Sequence, residues 1–392
     1  MFKSFRSGSI AGIVSQFPEP KKISNAGRTF QVSWNDLAED REWDDFLLTL
    51  PDAHHEQSSR WGCVRASIGW TVLRFVLAEH GVMIAGAQIQ LQAFGGFGSW
   101  AYITGGPCIT GNDAAVETIL LAEIKSFLRR QRVIYLLAQL PYDAHGLAEH
   151  LQANGFVRPP RAIAPFYMSA TLVLDLAQTE ETLLAEMRAT TRHQIRQGLK
   201  RGLTVVEGGA ADLDLFWELM RKLCERRRTT PNPGNAEFLH QLWNQFAPRG
   251  WIKLFLVQHE GKTVAGGLAL VFGGWFRVWK VGWSGEHAEL RPNQLLWWEM
   301  IRAARNGGYR HFDFVNVDVA HPNQATAGSP QKMALDGSTD FKLGFGGIIK
   351  PLPGAYCCFI HPLARVAKRT GVVKLLDSEV CVTLVRRVRR QR

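Results

Sequence analysis

The sequence has no CxxC pair, although it holds six cysteines, at 63, 108, 224, 357, 358 and 381. With no HExxH helix and no other metal-ligand spacing, that scatter excludes a recognisable metal site. It reads as six reduced core thiols of a cytoplasmic protein. No stretch reaches the ~18 to 20 uninterrupted apolar residues of a membrane span, so any work at a membrane is expected from its surface. There is also no GxSxG elbow and no recognisable Cys/His pairing. "GKT" at 261–263 is not a Walker A loop, because Leu256 stands where the loop's first glycine belongs. Acidic residues are short, 35 against 46 lysines and arginines, for a net charge of +11 and a pI near 9.5. Such a surface attracts phosphates, nucleic acid or anionic lipid; the plainer alternative is a protein with many surface arginines.

What is present is the composition of a folded globule: 46% hydrophobic and 21% charged residues, with thirteen tryptophans that imply large buried or ligand-facing aromatic surfaces. A chain of 392 residues is too long for one ordinary core and suits two domains. Residues 1–28 combine basic residues with a short apolar run that no small-residue cleavage site follows, and are expected to be a flexible leader.

Two hairpins repeat. "EHGVMIAGAQIQL" at 79–91 and "HEGKTVAGGLALV" at 259–271 place Gly81 against Gly261 and Ala85-Gly86 against Ala265-Gly266, a separation of 180 residues (261 less 81). After the first come a strand in "SWAYITGGP" at 99–107, a helix with Val116, Leu120, Ile124, Phe127 and Leu128 at three- and four-residue spacing, and the apolar strand "RVIYLLAQL" at 132–140. After the second come "WFRVWKVGW" at 275–283, the helix "NQLLWWEMIRAARNGG" stopped at Gly307-Gly308, and the strand "YRHFDFVNVD" from 309. Four consecutive elements in the same order predict two similar α/β domains in tandem.

The repeated unit resembles the core of the GNAT acyltransferase fold, a mixed sheet that splays apart to receive an acyl donor. Ordinary members cradle the coenzyme A pyrophosphate in a glycine-rich turn before a helix. Here "SGEHAELRPNQLL" and, in the first copy, "GGPCITGNDAAVE" stand in that place, and neither offers successive N–H groups at the right spacing.

Between the copies, "ATTRHQIRQGLKRGLTVVEG" at 189–208 carries a basic stripe of Arg188, Arg192, Arg196 and Lys200 beside an apolar one of Met187, Ile195 and Leu199. By itself the stripe is a solvated helix face or a binding face. The phrase is similar to the T-x-R-x-x-I-x-x-x-x-K-x-G signature of the FemABX family, aminoacyl-tRNA-dependent transferases that build peptidoglycan cross-bridges. "EQSSRWGCVRASIGW" at 56–70, "ITGGPCI" at 103–109, "RPNQLLWWEMIRAARNGGYRHFDF" at 291–314 and "GSTDFKLGFGG" at 337–347 followed by "HPLAR" agree in order, over roughly residues 40 to 365. "FKxGFGG" is the most specific of these.

The resemblance implies two tandem GNAT-like domains. A first, acceptor-binding domain covers 29–175 and is completed by 345–365, a second on the aminoacyl-tRNA side covers 176–344, and a basic tail covers 366–392. The repeated hairpin is then expected at the sheet edge of each half. Phe341 and Lys342 fall at the catalytic position, with Lys342 stabilising the developing oxyanion or the leaving ribose oxygen; otherwise Lys342 is a surface lysine. Arg65, Arg226 and Arg227 would grip acceptor phosphates. Arg65 is equally read as a structural ion pair, and Trp61 as core rather than ligand platform. Arg192, Arg196 and Lys200 would meet tRNA. Asp313, Asn316 and Asp318 end a strand facing the opening, where one could orient the amine or all could be a polar cap.

Two departures from the family pattern stand out: Gly105 where an arginine is common before Gly-Pro, with only Asp113 some way beyond, and "FDFVNVD" where relatives carry glycines. The tail, ending "RRVRRQR", is open to three readings: a basic amphipathic helix on anionic lipid, a tRNA contact, or a disordered charged end. The expected activity is transfer of an amino acid from aminoacyl-tRNA, with no cofactor and no metal, to an amine of a nucleotide- or lipid-linked muropeptide or another peptide. The setting is cytoplasmic, with peripheral contact at the inner membrane face through the tail. The alternatives are an acyl-CoA N-acyltransferase acting on a polysaccharide or lipid-linked sugar, and a non-catalytic RNA- or membrane-binding protein.

Overall fold

The computed structural model describes residues 17–25, 27–93, 98–164, 168–318 and 337–383. Two compact units divide the chain: Met1–Tyr167 with Pro353–Arg392, and Met168–Leu352.

The first unit contains β1 (Lys21–Asn25), β2 (Arg28–Asn35), α1 (Arg41–Leu48), α2 (Ser59–Ser67), β3 (Thr71–Glu79), β4 (Val82–Ala93), β5 (Ser99–Thr104), β6 (Cys108–Ile109), α3 (Ala114–Arg130), β7 (Val133–Gln139) and α4 (His145–Ala153). The second unit continues with β8 (Ala170–Asp175), α5 (Glu180–Glu186), α6 (Ala189–Lys200), β9 (Thr204–Gly208), α7 (Leu213–Arg226), α8 (Ala236–Phe246), β10 (Ile252–His259), β11 (Lys262–Phe272), β12 (Trp275–Trp283), α9 (Pro292–Asn306), β13 (His311–Asp313), α10 (Gly337–Leu343) and β14 (Ile348–Pro351). The chain then returns to the first unit as β15 (Ala355–Phe359) and α11 (Pro362–Arg369).

The first sheet runs β1-β2-β3-β4-β5-β7-β15 with β6 on β4, and the second runs β14-β8-β13-β12-β11-β10-β9. In each, one parallel pair, β5 with β7 or β12 with β13, interrupts antiparallel neighbours. Each core forms where a helix lays its apolar face on the sheet. The α3 residues Leu120, Ile124, Phe127 and Leu128 are buried on the first, and the α9 residues Leu295, Leu296, Met300 and Ile301 on the second. At ~1.5 to 3 kcal/mol per fully buried large apolar side chain, these two stripes are a main source of each unit's stability.

The repeat holds at single-residue resolution. Glu79 pairs with Val82 and His259 with Lys262, each around a two-residue turn whose central residues are both left-handed: His80 (φ 50°) and Gly81 (φ 81°), Glu260 (φ 48°) and Gly261 (φ 75°). Each hairpin then has an irregularity at the same step, Leu77/Ala78 and Val257/Gln258. The small residues recur because a ring lies over each: a Cβ on Gly86 would strike Trp43 of α1, and one on Gly266 would press on Phe216 of α7.

Several sequence expectations are corrected. The hairpins lie inside their sheets, flanked by β2 and β5 or by β9 and β12, because a further strand pairs outside each. Residues 21–25 are not leader but β1, paired with β2; residues 1–16 lie outside the described residues. The domain joints move to 167/168 and 352/353, because β8 pairs with β13 and β14 in the second sheet. The strand expected from 309 to 318 is only His311–Asp313, since the chain turns left-handed at Val315 (φ 51°) and Asn316 (φ 56°). Residues 362–377 are helical rather than a disordered tail: Ala364, Val373 and Leu376 pack on a small cluster with Cys357 and Phe359, while residues 384–392 lie outside the described residues.

Candidate active site

The second unit opens where its parallel pair stops. β12 and β13 pair only from Trp275–His311 to Arg277–Asp313, while β12 runs on to Trp283. Beyond the last pair lies a cavity of about 470 Å³. Its cationic lining is Arg226 and Arg227 from the end of α7, Lys280 from β12, and Lys342 from α10. Trp279, Trp283, Trp297, Phe314 and Phe341 supply aromatic wall, and no carboxylate or imidazole is among the described lining residues. An anion with a flat ring suits this chemistry, through charge and stacking.

Local structure explains each position. Val278 pairs with Ala269 and Lys280 with Leu268, so Trp279 is the extra residue of a β-bulge, which re-aims its side chain. Arg226 donates to Trp283 O at 2.6 Å and to Ser284 O at 2.7 Å, and its guanidinium lies over the Trp283 ring at 4.6 Å. Partial burial, then neighbouring Arg227, lowers the Arg226 pKa. Phe341 packs edge-on against Trp297 (6.1 Å) and Phe345 (5.4 Å), anchoring the helix that carries Lys342. Lys342 Nζ donates to Val315 O at 2.5 Å and Asn316 O at 2.7 Å.

Asp313 departs from the expected role. It does not face the opening but is fully buried, with Arg277 Nε at 3.5 Å; it accepts from Thr171 Oγ1 at 2.6 Å and from Val315 N at 2.8 Å. Its carboxylate holds the bend through Val315 N, and Lys342 holds it through Val315 O. Asn316 and Asp318 are exposed on that bend, where Asp318 N donates to Thr339 Oγ1 at 3.0 Å.

Arg192 is likewise reassigned. Its guanidinium donates to Leu184 O (3.1 Å), Ala185 O (3.0 Å) and Met187 O, carbonyls at and just past the C-terminus of α5, the first of which also accepts from Met187 N. Arg196 and Lys200 are exposed on α6.

Arg65 and Trp61 belong to the first unit. Arg65 lies over Trp70 at 4.2 Å and donates to Gln90 Oε1 at 2.8 Å, and burial lowers its pKa to about 10. Trp61 is core, 5% exposed and edge-on to His55. Asp113 caps α3 through Ala115 N and Val116 N and pairs with Arg28.

The sequence reading missed Trp279, Lys280, Trp283, Asn293 and Trp297. The excess of tryptophan was the available signal, but the bulge that turns Trp279 is set by pairing with β11.

The loop from Trp283 to Asn293 bears on the donor. The N–H groups of Ser284, Glu286, Leu290 and Arg291 donate to Val264 O, Ser284 Oγ, His287 O and Ala288 O, and Pro292 has none. These four amides are spent on acceptors within the protein, which interrupts a run of free N–H groups for an anion. Among the described residues no group of three or more His, Cys, Asp or Glu could hold a metal ion.

Comparison with known proteins agrees with this architecture. Residues 38–155 match the FemAB family and residues 185–323 match the acetyltransferase (GNAT) domain. The crystal structure of FemX superposes with a TM-score of 0.73 at 17% identity, covering 85% of this chain and 99% of that one. A tandem GNAT protein from the clavulanic acid biosynthesis pathway gives 0.51 at 14% identity, covering 84% and 99%. The fold is therefore that of a tandem GNAT-like acyltransferase.

A UDP-N-acetylmuramoylpentapeptide-lysine N(6)-alanyltransferase of Weissella viridescens is 25% identical over 253 residues, 62% of this chain and 74% of that protein. A lipid II:glycine glycyltransferase of Staphylococcus epidermidis is 21% identical over 232 residues, 57% of this chain and 55% of that protein, so the chain spans about half the glycyltransferase's length. These matches and motifs make the chain similar, over part of its length, to the FemABX family of peptidoglycan bridge-forming aminoacyltransferases.

Proposed function

We propose that this protein transfers an amino acid from aminoacyl-tRNA to an amine of a nucleotide- or lipid-linked muropeptide, forming an amide without a cofactor or metal. The carrying observation is the second unit's cavity, with four cationic and five aromatic side chains and no described carboxylate. Cations and rings suit the phosphates and terminal base of a tRNA end. Engagement of the Ser284, Glu286, Leu290 and Arg291 amides within the protein supports this donor over coenzyme A.

In the reaction the acceptor nitrogen attacks the ester carbonyl carbon, a tetrahedral oxyanion forms, and the bond to the ribose oxygen breaks. The ribose oxygen leaves as a hydroxyl with a proton that began on the amine. Lys342 is the cation nearest the bend and serves the developing oxyanion or the leaving oxygen. An aminoacyl ester is already activated, so no covalent nucleophile is needed. The amine must be neutral, and four cations disfavour an ammonium in their midst, lowering its pKa without a dedicated base. Arg226 and Arg227 in the second unit, and Arg65 in the first, are phosphate ligands in this reading. Arg196 and Lys200 contribute to tRNA attraction. The setting is cytoplasmic. Contact of the basic C-terminal residues 366–392 with an anionic membrane surface belongs to the same proposal.

The test is incubation with a labelled amino acid, its synthetase, tRNA and a muropeptide precursor. RNase-sensitive transfer supports the proposal. Transfer from acetyl-CoA without tRNA, or tight tRNA binding with no transfer from either donor, overturns it.

A further inference from the structure

On the first unit, α3 and α11 enclose a second cavity of about 320 Å³. Lys125 and Arg129 line it from α3, and Arg365, Lys368 and Arg369 from α11. Lys125 Nζ donates to Asn154 O at 3.3 Å and Lys368 Nζ to Gly155 O at 3.0 Å, so two cations rest on the carbonyls that follow α4. None of the five is in an ion pair with a described carboxylate, and no acidic residue lines the cavity. Five cationic side chains converging on one concavity repel one another unless an anion sits between them.

A second feature adjoins it. Leu363 and Val366 of α11 are 74% and 54% exposed, and Val366 neighbours the cavity-lining Arg369 three residues on along the helix surface. The following turn, Val372–Asp377, packs the half-buried Val373 and Leu376 against the small cluster but leaves Val372 and Leu375 53% and 64% exposed. Outward aliphatic side chains therefore border a cationic hollow. Phosphate chemistry alone, such as an RNA backbone, accounts for the hollow but not for the aliphatic rim. A bilayer surface of anionic phospholipid satisfies both, with headgroup phosphates for the cations and an acyl boundary for Leu363, Val366, Val372 and Leu375.

We propose that α11 and the turn after it form a docking face for an anionic phospholipid surface, with the hollow between α3 and α11 taking a headgroup phosphate. This rests on the membrane contact proposed above, sharpens it to residues 363–375 with Lys125 and Arg129, and is independent of the donor chemistry.

The experiment is co-sedimentation of the full chain with vesicles of phosphatidylglycerol and phosphatidylcholine, and with phosphatidylcholine alone, without substrates. Wild-type protein should partition onto the anionic vesicles. The double variant Arg365→Glu, Arg369→Glu should bind them at least about tenfold more weakly, since each basic residue near an anionic surface contributes about fivefold. Leu363→Ser with Leu375→Ser should weaken binding severalfold, including at salt high enough to screen the charges. These side chains lie at the surface, so melting midpoints should stay near wild type, and transfer to a nucleotide-linked acceptor should persist in both variants. Vesicle binding equal to wild type in both, or no vesicle binding by wild type, overturns the proposal even if transfer is normal. Loss of tRNA affinity with unchanged vesicle binding in the charge-reversed variant overturns it by assigning the hollow to RNA.

Discussion

Lys342 Nζ donates to the carbonyl oxygen of Val315, a β-branched residue held at a left-handed φ of 51°. Such a backbone state costs on the order of 1 to 3 kcal/mol and persists only where its surroundings enforce it. Lys342 enforces it from one side and the Asp313 carboxylate, accepting from Val315 N, from the other. Replacing Val315 with glycine should leave stability within about 1 kcal/mol of wild type, because relief of strain offsets the lost side chain. It should lower the transfer rate, because the carbonyls that position Lys342 gain freedom. Chemical denaturation and a rate measurement on the same preparation check this; a large loss of stability with full activity would contradict it.

The hairpins at 79–91 and 259–271 were readable because a glycine in a two-residue turn and the small residues that follow are local signals, and the 180-residue offset then doubled every element. Asp313 and Arg192 were not readable. One is buried by the pairing of β13 with β12 and β8, the other is drawn to the carbonyl end of α5, and both are tertiary events. The Trp279 bulge was hidden for the same reason, since alternation along β12 says nothing of the residue count on β11.

Gly285 has a φ of 92°, and a Cβ there would collide with the Arg226 guanidinium where it stacks on Trp283. Gly285→Ala should destabilise the fold by about 1 to 3 kcal/mol and weaken donor binding by roughly tenfold. Thermal unfolding and tRNA titration read the two effects; unchanged donor affinity would separate Arg226 from the donor.

Arg192 and Arg196 share one helix but should fail differently. Arg192→Ala removes a donor shared by the carbonyls of Leu184, Ala185 and Met187, of which Leu184 O keeps Met187 N, and should cost about 1 to 2 kcal/mol of stability, with little change in the salt dependence of tRNA binding. Arg196→Ala should leave stability alone and reduce the slope of log affinity against log salt by about one unit. The reverse pattern would return Arg192 to the RNA surface.

His311 lies half-buried beneath Trp275 at 4.4 Å, and burial, followed by Lys350, depresses its pKa below the usual 6.5. Arg310 and Arg277 push the same way, against Asp175. The unfolded chain therefore takes up the proton first as pH falls. The stability that neutral His311 contributes is whole above about 6.5 and is lost as pH falls through the folded pKa. His311→Gln should flatten this acid loss; equal pH profiles for variant and wild type would contradict the assignment.

The most direct measurement is the single-turnover rate of Lys342→Met against wild type, at saturating aminoacyl-tRNA and muropeptide acceptor. Methionine keeps the length and apolar stem of the side chain and removes only the charge. The expected result is a rate lower by on the order of 100- to 1,000-fold, with donor affinity changed no more than severalfold. A rate within threefold of wild type would show that the ammonium has no part in transfer and would contradict placing the chemistry in this cavity.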